Sequence, residues 1–254
     1  SFILVGMNSI TSSANIAKGK TFSNSLKNSL LMNLISEWRL DEGNGISTAD
    51  NWGENSGTIY NAQWRTEGCV SKNCLYFNGN NNYVDLGNRT SLDLTTAVTI
   101  EAWFNTQTTT QQIIVQKSAN ATFVDPWRNY ALVFYPTGGN YRGRFSLSTG
   151  IAGSQMILVG NTNINTNNWY HLLGTWKSGY FAKIYLNGIF DGQASFTGPI
   201  GINTEITRMG NSPIDSERFS GKIDEIKLFN EMASISYVQS SYYSGINRLF
   251  KNNE

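Results

Sequence analysis

The sequence predicts an all-β, two-sheet antiparallel sandwich preceded by one long N-terminal α-helix. Three observations carry this. From Trp38 onward, short alternating apolar and polar runs are separated by Gly/Asn/Asp/Ser clusters. Aromatics are frequent, with 13 Phe, 12 Tyr and 7 Trp, and 24 Gly stand against only 4 Pro, a mix that suits strands and tight turns. Residues 1–36 instead lack Pro, Trp and strand alternation, and their apolar residues recur in steps of three and four. The chain therefore divides into a helix over 1–36 and a sandwich over 37–254.

The helix comes first. Ile10, Ala14, Ala17, Phe22, Leu26, Leu30 and Leu34 fall on one face, Ser, Asn and Lys fill the other, and Gly19 is a weak point. "SFILVGM" is apolar but far below the ~20 residues that span a bilayer. No charged region precedes it and no cleavage site follows, so it reads as the cut end of something longer. Next come the strands. "TIEAWF" (99–104) sets Ile100, Ala102 and Phe104 on one face and Glu101 and Trp103 on the other. "YALVFY" (130–135) and "RFSLS" (144–148) alternate in the same way. "FAKIYLNG" (181–188) turns Ala182, Ile184 and Leu186 inward and ends in Asn187-Gly188, a tight-turn pair. "KIDEIKLF" (222–229) opposes Ile223, Glu225 and Lys227 to Asp224, Ile226 and Leu228. "SISYVQSSYY" (234–243) is expected to form a short helix with Ser234 as its N-cap.

Charged residues make up 15% of the chain and the net charge is +1, so no electrostatic footprint for nucleic acid or an acidic membrane is present. Cys69 and Cys74, in "GCVSKNC", are close enough to clasp a turn. A zinc site needs further ligands that the single His171 does not supply. A disulfide is the favoured reading over free thiols, and it implies an oxidising compartment. There is no HExxH, phosphate loop or GxSxG.

Five segments carry a resemblance: "LISEWRLDEGNG" (34–45), "CLYFNGNNNYVDLG" (74–87), "VTIEAWF" (98–104), "NNWYHLLGTW…AKIYLNG" (167–188) and "FSGKIDEIKLFNEMAS" (219–234). Over roughly residues 34–245 they resemble the LamG-like jelly roll of the concanavalin A-like lectin/glucanase superfamily. The helix running into "WRLDEGNG" resembles bacterial type IV pilin-like proteins whose long helix carries such a domain, here without the very hydrophobic first half. The alternative is an ordinary amphipathic helix capping the sandwich.

These resemblances set the functional expectations. The first is a non-catalytic adhesion protein of the cell surface or pilus, with a glycan or surface ligand as partner. Pilin subunits would be further partners through the helix, and a membrane only through the missing segment. The alternatives are a filament subunit without a specific ligand and a glycoside hydrolase. Hydrolases of this fold pair carboxylates on one strand face. The nearest candidates, Asp41/Glu42 and Asp224/Glu225, are adjacent residues expected on opposite faces, so no catalytic residue is assigned. His171 matches the Trp-Tyr-His run opening a central strand and reads as a packed, hydrogen-bonded residue. Calcium is the cofactor implied, at either of two places. One joins Asp41 and Asp224 from the first and last motifs, the alternative being that both carboxylates satisfy turn amides. The other is a rim site with Asp125, Asn129, Asn211 and Asp215, where Arg128 stands in place of a carboxylate. Asn78, Asn80, Asn81 and Asn82 replace the acids usual in the second motif. Sugar binding uses exposed aromatics beside amides and charges; Trp127, Asn129, Tyr141 and Arg142 are the candidates, with Trp52 as another.

Overall fold

A computed structural model of the chain describes residues 33–118, 128–149, 154–212 and 217–251. In chain order the strands are β1 (Leu34–Trp38), β2 (Ser47–Thr48), β3 (Gly57–Tyr60), β4 (Gln63–Arg65), β5 (Cys74–Asn78), β6 (Tyr83–Asp85), β7 (Ala97–Thr106) and β8 (Gln112–Ser118). They continue with β9 (Arg128–Thr137), β10 (Asn140–Ser148), β11 (Gln155–Val159), β12 (Tyr170–Lys177), β13 (Ala182–Leu186), β14 (Ile189–Ala194), β15 (Thr207–Met209) and β16 (Ser220–Phe229). One sheet runs β14-β13-β12-β7-β16-β5-β4, with β1 also on β16; the other runs β11-β10-β9-β8-β15-β6-β3-β2. All pairings are antiparallel.

The core lies between the sheets. Ile100, Ala102 and Phe104 of β7 enter it, as do Leu132 and Phe134 of β9 and Ile184 and Leu186 of β13. Each follows the alternation expected from its segment. The β13–β14 hairpin turns on Asn187 (φ 51°) and Gly188 (φ 76°), the left-handed pair that a two-residue turn requires. Cys69 and Cys74 are joined in a disulfide and buried.

The expected long N-terminal helix is corrected. The described helix, α1 (Ile235–Lys251), follows the last strand instead. Ser234 caps it, its Oγ accepting the Tyr237 N–H at 3.2 Å. Leu34, the last residue of the predicted helical stripe, lies in β1 and pairs with Phe229. Residues 34–38 bury Leu34, Ser36 and Trp38 in alternation, and pairing with β16 overrides the helical period that ends at Leu34. The remainder of the stripe, residues 1–32, lies outside the described residues.

A second correction concerns β16. Its register slips between Asp224 and Lys227, and Glu225 takes φ 50°. Ile223, Ile226 and Leu228 all face the core, so strict alternation fails at a β-bulge. α1 lies on the outer face of this sheet, where Leu34, Leu173, Tyr185 and Phe229 pack with Tyr237 and Val238. Gly245 makes that approach possible, because a Cβ there would meet the Trp103 ring at 2.5 Å.

Candidate functional site

The bulge in β16 creates the site. β5 pairs with residues 220–223 of β16 and β1 with residues 226–229, end to end along one flank. In the gap between them the disulfide loop turns in, and Asp224 Oδ2 accepts the N–H groups of Val70 (2.9 Å) and Ser71 (3.0 Å). A cleft of about 540 Å³ opens between β1, this loop and α1. Its lining includes Glu37, Arg39, Asp41, Trp52, Lys72, Glu225, Lys227 and Arg248.

Strain is concentrated here. Six non-glycine residues among those described have positive φ; four are asparagines, which tolerate it. The other two are Leu40 (φ 54°), between the lining residues Arg39 and Asp41, and Glu225 (φ 50°). Both conformations cost energy that the surrounding fold must supply, a pattern typical of functional sites.

The charges are held in pairs. Arg39 Nη2 lies 2.8 Å from Glu37 Oε2, and Arg248 Nη2 lies 3.0 Å from Glu225 Oε2. The hydrogen bond and charge of Glu37 push the Arg39 guanidinium above its ordinary pKa. Burial pushes the Glu225 carboxyl up, against the pull of Lys227 and Arg248. Lys227 reaches behind the cleft to Glu101 Oε1 at 3.0 Å. The same oxygen accepts Tyr237 OH and Ser241 Oγ, each at 2.9 Å. Trp52 forms the exposed wall, 56% accessible. Its loop is pinned by Asp50, whose carboxylate accepts N–H groups from Glu37, Trp52, Gly53 and Asn55 at 2.9–3.1 Å. Burial raises the Asp50 pKa, but these four donors outweigh it and leave the carboxyl below its ordinary value.

Among the described sugar candidates, Asn129 and the Tyr141–Arg142 pair lie apart. Asn129 is buried in β9; its amide nitrogen donates to Gly201 O and its oxygen accepts from Asn203. Tyr141 and Arg142 lie in β10 rather than a loop, at the other end of the β9–β10 hairpin, about 20 Å away at ~3.3 Å per residue. Tyr141 stacks on Phe134 at 5.9 Å, and Arg142 Nη1 donates to Gly160 O at 3.2 Å. Trp127, Asp125 and Asp215 lie outside the described residues. Asn211 Nδ2 donates to Asn81 Oδ1 at 3.1 Å. His171 is buried beneath α1, its Nε2 3.2 Å from Glu101 Oε2.

Calcium takes about six to eight oxygen ligands. Asp224 keeps one buried oxygen, Oδ1, without a partner, while Asp41 Oδ1 accepts the Asn73 N–H at 3.4 Å. No group of three or more His, Cys, Asp or Glu suited to a metal gathers among the described residues. Asp41 and Asp224 by themselves supply fewer oxygens than calcium takes.

Of the cleft residues, the sequence reading had named Asp41 as a metal candidate and Trp52 as a sugar platform. It missed Glu37, Arg39 and Lys72, which no periodicity marks. The alternation groups Glu225 with Ile223 and Lys227; Lys227 does share the cleft with it, but the bulge sends Ile223 into the core. Arg248 lay beyond the segment taken as helix.

Residues 78–239 match a family model described as the concanavalin A-like lectin/glucanases superfamily. No curated protein matches the chain in sequence. Among solved structures it is similar to the binding domain of Paraclostridial Mosquitocidal Protein 1, with TM-score 0.67 and 15% identity over 86% of this chain and 53% of that one. It is also similar to domain 4 of AbnA, a GH43 extracellular arabinanase from Geobacillus stearothermophilus, in complex with arabinotriose. There the TM-score is 0.60 and the identity 19%, over 82% of this chain and 97% of that one. The botulinum neurotoxin serotype G binding domain matches with TM-score 0.63 and 14% identity, over 84% of this chain and 51% of that one. At these identities the likeness shows the fold, and the chain spans about half the length of the two toxin domains.

Proposed function

The chain belongs to the concanavalin A-like lectin/glucanase superfamily, and from that premise we propose that it is a non-catalytic, extracytoplasmic binding domain that takes a glycan or another surface ligand in the β16 cleft. One observation carries this: an exposed tryptophan, held by Asp50, faces a cleft whose charged side chains are already fixed in place. An aromatic face stacks on the C–H face of a sugar, and preset polar groups fix its orientation without a further ordering cost. The neighbours agree in kind. The arabinanase domain is in complex with arabinotriose, and the cell entry of another neighbour, botulinum neurotoxin type C, is dependent upon interaction with two ganglioside molecules.

The absence of catalysis is part of the proposal. Glu37 and Glu225 each give one oxygen to a guanidinium and Asp224 gives one to backbone amides, arrangements that suit holding a ligand more than moving a proton. The disulfide supports placement in an oxidising compartment. Pilin partners are not carried forward, since they rested on the N-terminal helix alone. The test is a glycan array followed by titration calorimetry. Trp52→Ala should weaken the best ligand about tenfold or more with the melting temperature unchanged. Unaltered affinity would overturn the assignment of the cleft.

A further inference from the structure

We propose that the cleft selects a neutral saccharide with adjacent hydroxyls, and that the ion pairs Glu225–Arg248 and Glu37–Arg39 are the groups that read them. This rests on the cleft being the binding site and adds the ligand class and the specificity-determining residues.

A sugar hydroxyl both donates and accepts hydrogen bonds, whereas a carboxylate only accepts and a guanidinium only donates. Each ion pair therefore sets an acceptor and a donor side by side, at 3.0 Å for Glu225–Arg248 and 2.8 Å for Glu37–Arg39. Two neighbouring hydroxyls match that arrangement, one donating to the carboxylate and the other accepting from the guanidinium. Both glutamates use Oε2 for their arginine. Neither Oε1 hydrogen-bonds to the protein among the described residues, and neither is a sealed, unpartnered atom. They remain reachable from the cleft.

Charge argues for a neutral ligand. Within the lining, Glu37 answers Arg39 and Glu225 answers Arg248, and Lys227 is taken by Glu101. Recognition of a carboxylate or phosphate calls for guanidinium donors not already engaged by carboxylates. Here each arginine arrives with its own carboxylate.

The backbone supports the choice of Glu225. Strict alternation from Ile223 would turn residue 225 toward the core. The bulge, with φ 50° at Glu225, delivers the side chain to the cleft instead. A strained conformation at a residue with no packing role in the core re-aims one side chain, as bulges beside binding sites do.

The experiment titrates the full chain with matched neutral and acidic (sialylated or uronate-containing) oligosaccharides, using wild type, Glu225→Gln, Glu37→Gln and Trp52→Ala, with melting curves for each. Wild type should prefer the neutral members, and Glu225→Gln and Glu37→Gln should each weaken them about tenfold. The more exposed Glu37→Gln keeps the test open should Glu225→Gln fail to fold. A preference for acidic glycans that Trp52→Ala abolishes sinks this inference and leaves the cleft as the binding site. So does neutral-glycan binding lost in Trp52→Ala but intact in both glutamine variants. Binding indifferent to all three substitutions, or none to any glycan, overturns both.

Discussion

Glu101 lies under α1 with four donors on it: Lys227, Tyr237 and Ser241 at Oε1 and His171 at Oε2. Burial alone would raise its pKa, but Lys227 and His171 hold the carboxyl well below the ordinary carboxylate range. A depressed folded pKa gives stability that is present above the unfolded value of 4.5 and is lost as pH falls through the folded one. Asp224 has the opposite sign. Its raised pKa contributes fully below 3.8, and that contribution is lost as pH rises through the folded value. Two measurements follow. Glu101→Ala should destabilise by about 3–5 kcal/mol in urea unfolding at pH 7, since it leaves Lys227 without its buried partner. Asp224→Asn should gain melting temperature relative to wild type as pH rises from 4 to 7; a gap that stays constant with pH would contradict the raised pKa. At this scale the structural role of His171 was legible from its strand parity and its Trp-Tyr-His neighbours. Its partner was not, because Glu101 is 70 positions away and no local pattern links them.

Among elements, the disulfide loop and α1 form the walls of the cleft. The bond closes only a short loop, so the chain-entropy contribution is about 2 kcal/mol. Replacing both cysteines by serine should cost roughly that much in denaturant unfolding and should also loosen the Val70–Ser71 amides on Asp224. Gly245→Ala tests the helix. Propensity favours alanine by about 1 kcal/mol, yet the added methyl would press on Trp103. We expect net destabilisation and a displaced α1; a more stable variant would mean the helix yields without cost. The β7 and β13 segments were legible because each keeps a single partner strand on either flank, and the slips in the β13–β14 and β7–β16 ladders leave their own core alternation intact. β16 was not. Its flank partner changes from β5 to β1 midway, and the slip at Asp224–Lys227 accommodates that change.

Over the whole molecule, calcium is the simplest test. A ligand that binds the native state must raise its melting temperature. With Asp224 Oδ2 and Asp41 Oδ1 held by backbone amides and no third acidic ligand beside them among the described residues, melting in chelator and in added calcium should agree within about 1 °C. A rise of several degrees would show that calcium binds, and Asp224→Asn would then tell the Asp41–Asp224 pair from the rim residues Asp125 and Asp215.

The sequence by itself determined the sandwich, the turn at Asn187-Gly188, the nearness of Cys69 to Cys74 and the lack of a nucleic-acid footprint. Those features depend on residues a few positions apart or on composition, and local periodicity reports them directly. Only the tertiary structure decided that Leu34 joins a strand, that β16 bulges, and that Glu37, Trp52, Glu225 and Arg248 share one cleft. Those outcomes depend on which distant segments find open strand edges and buried partners. A ladder closed across nearly two hundred residues, as between β1 and β16, leaves no trace in the spacing of either segment alone.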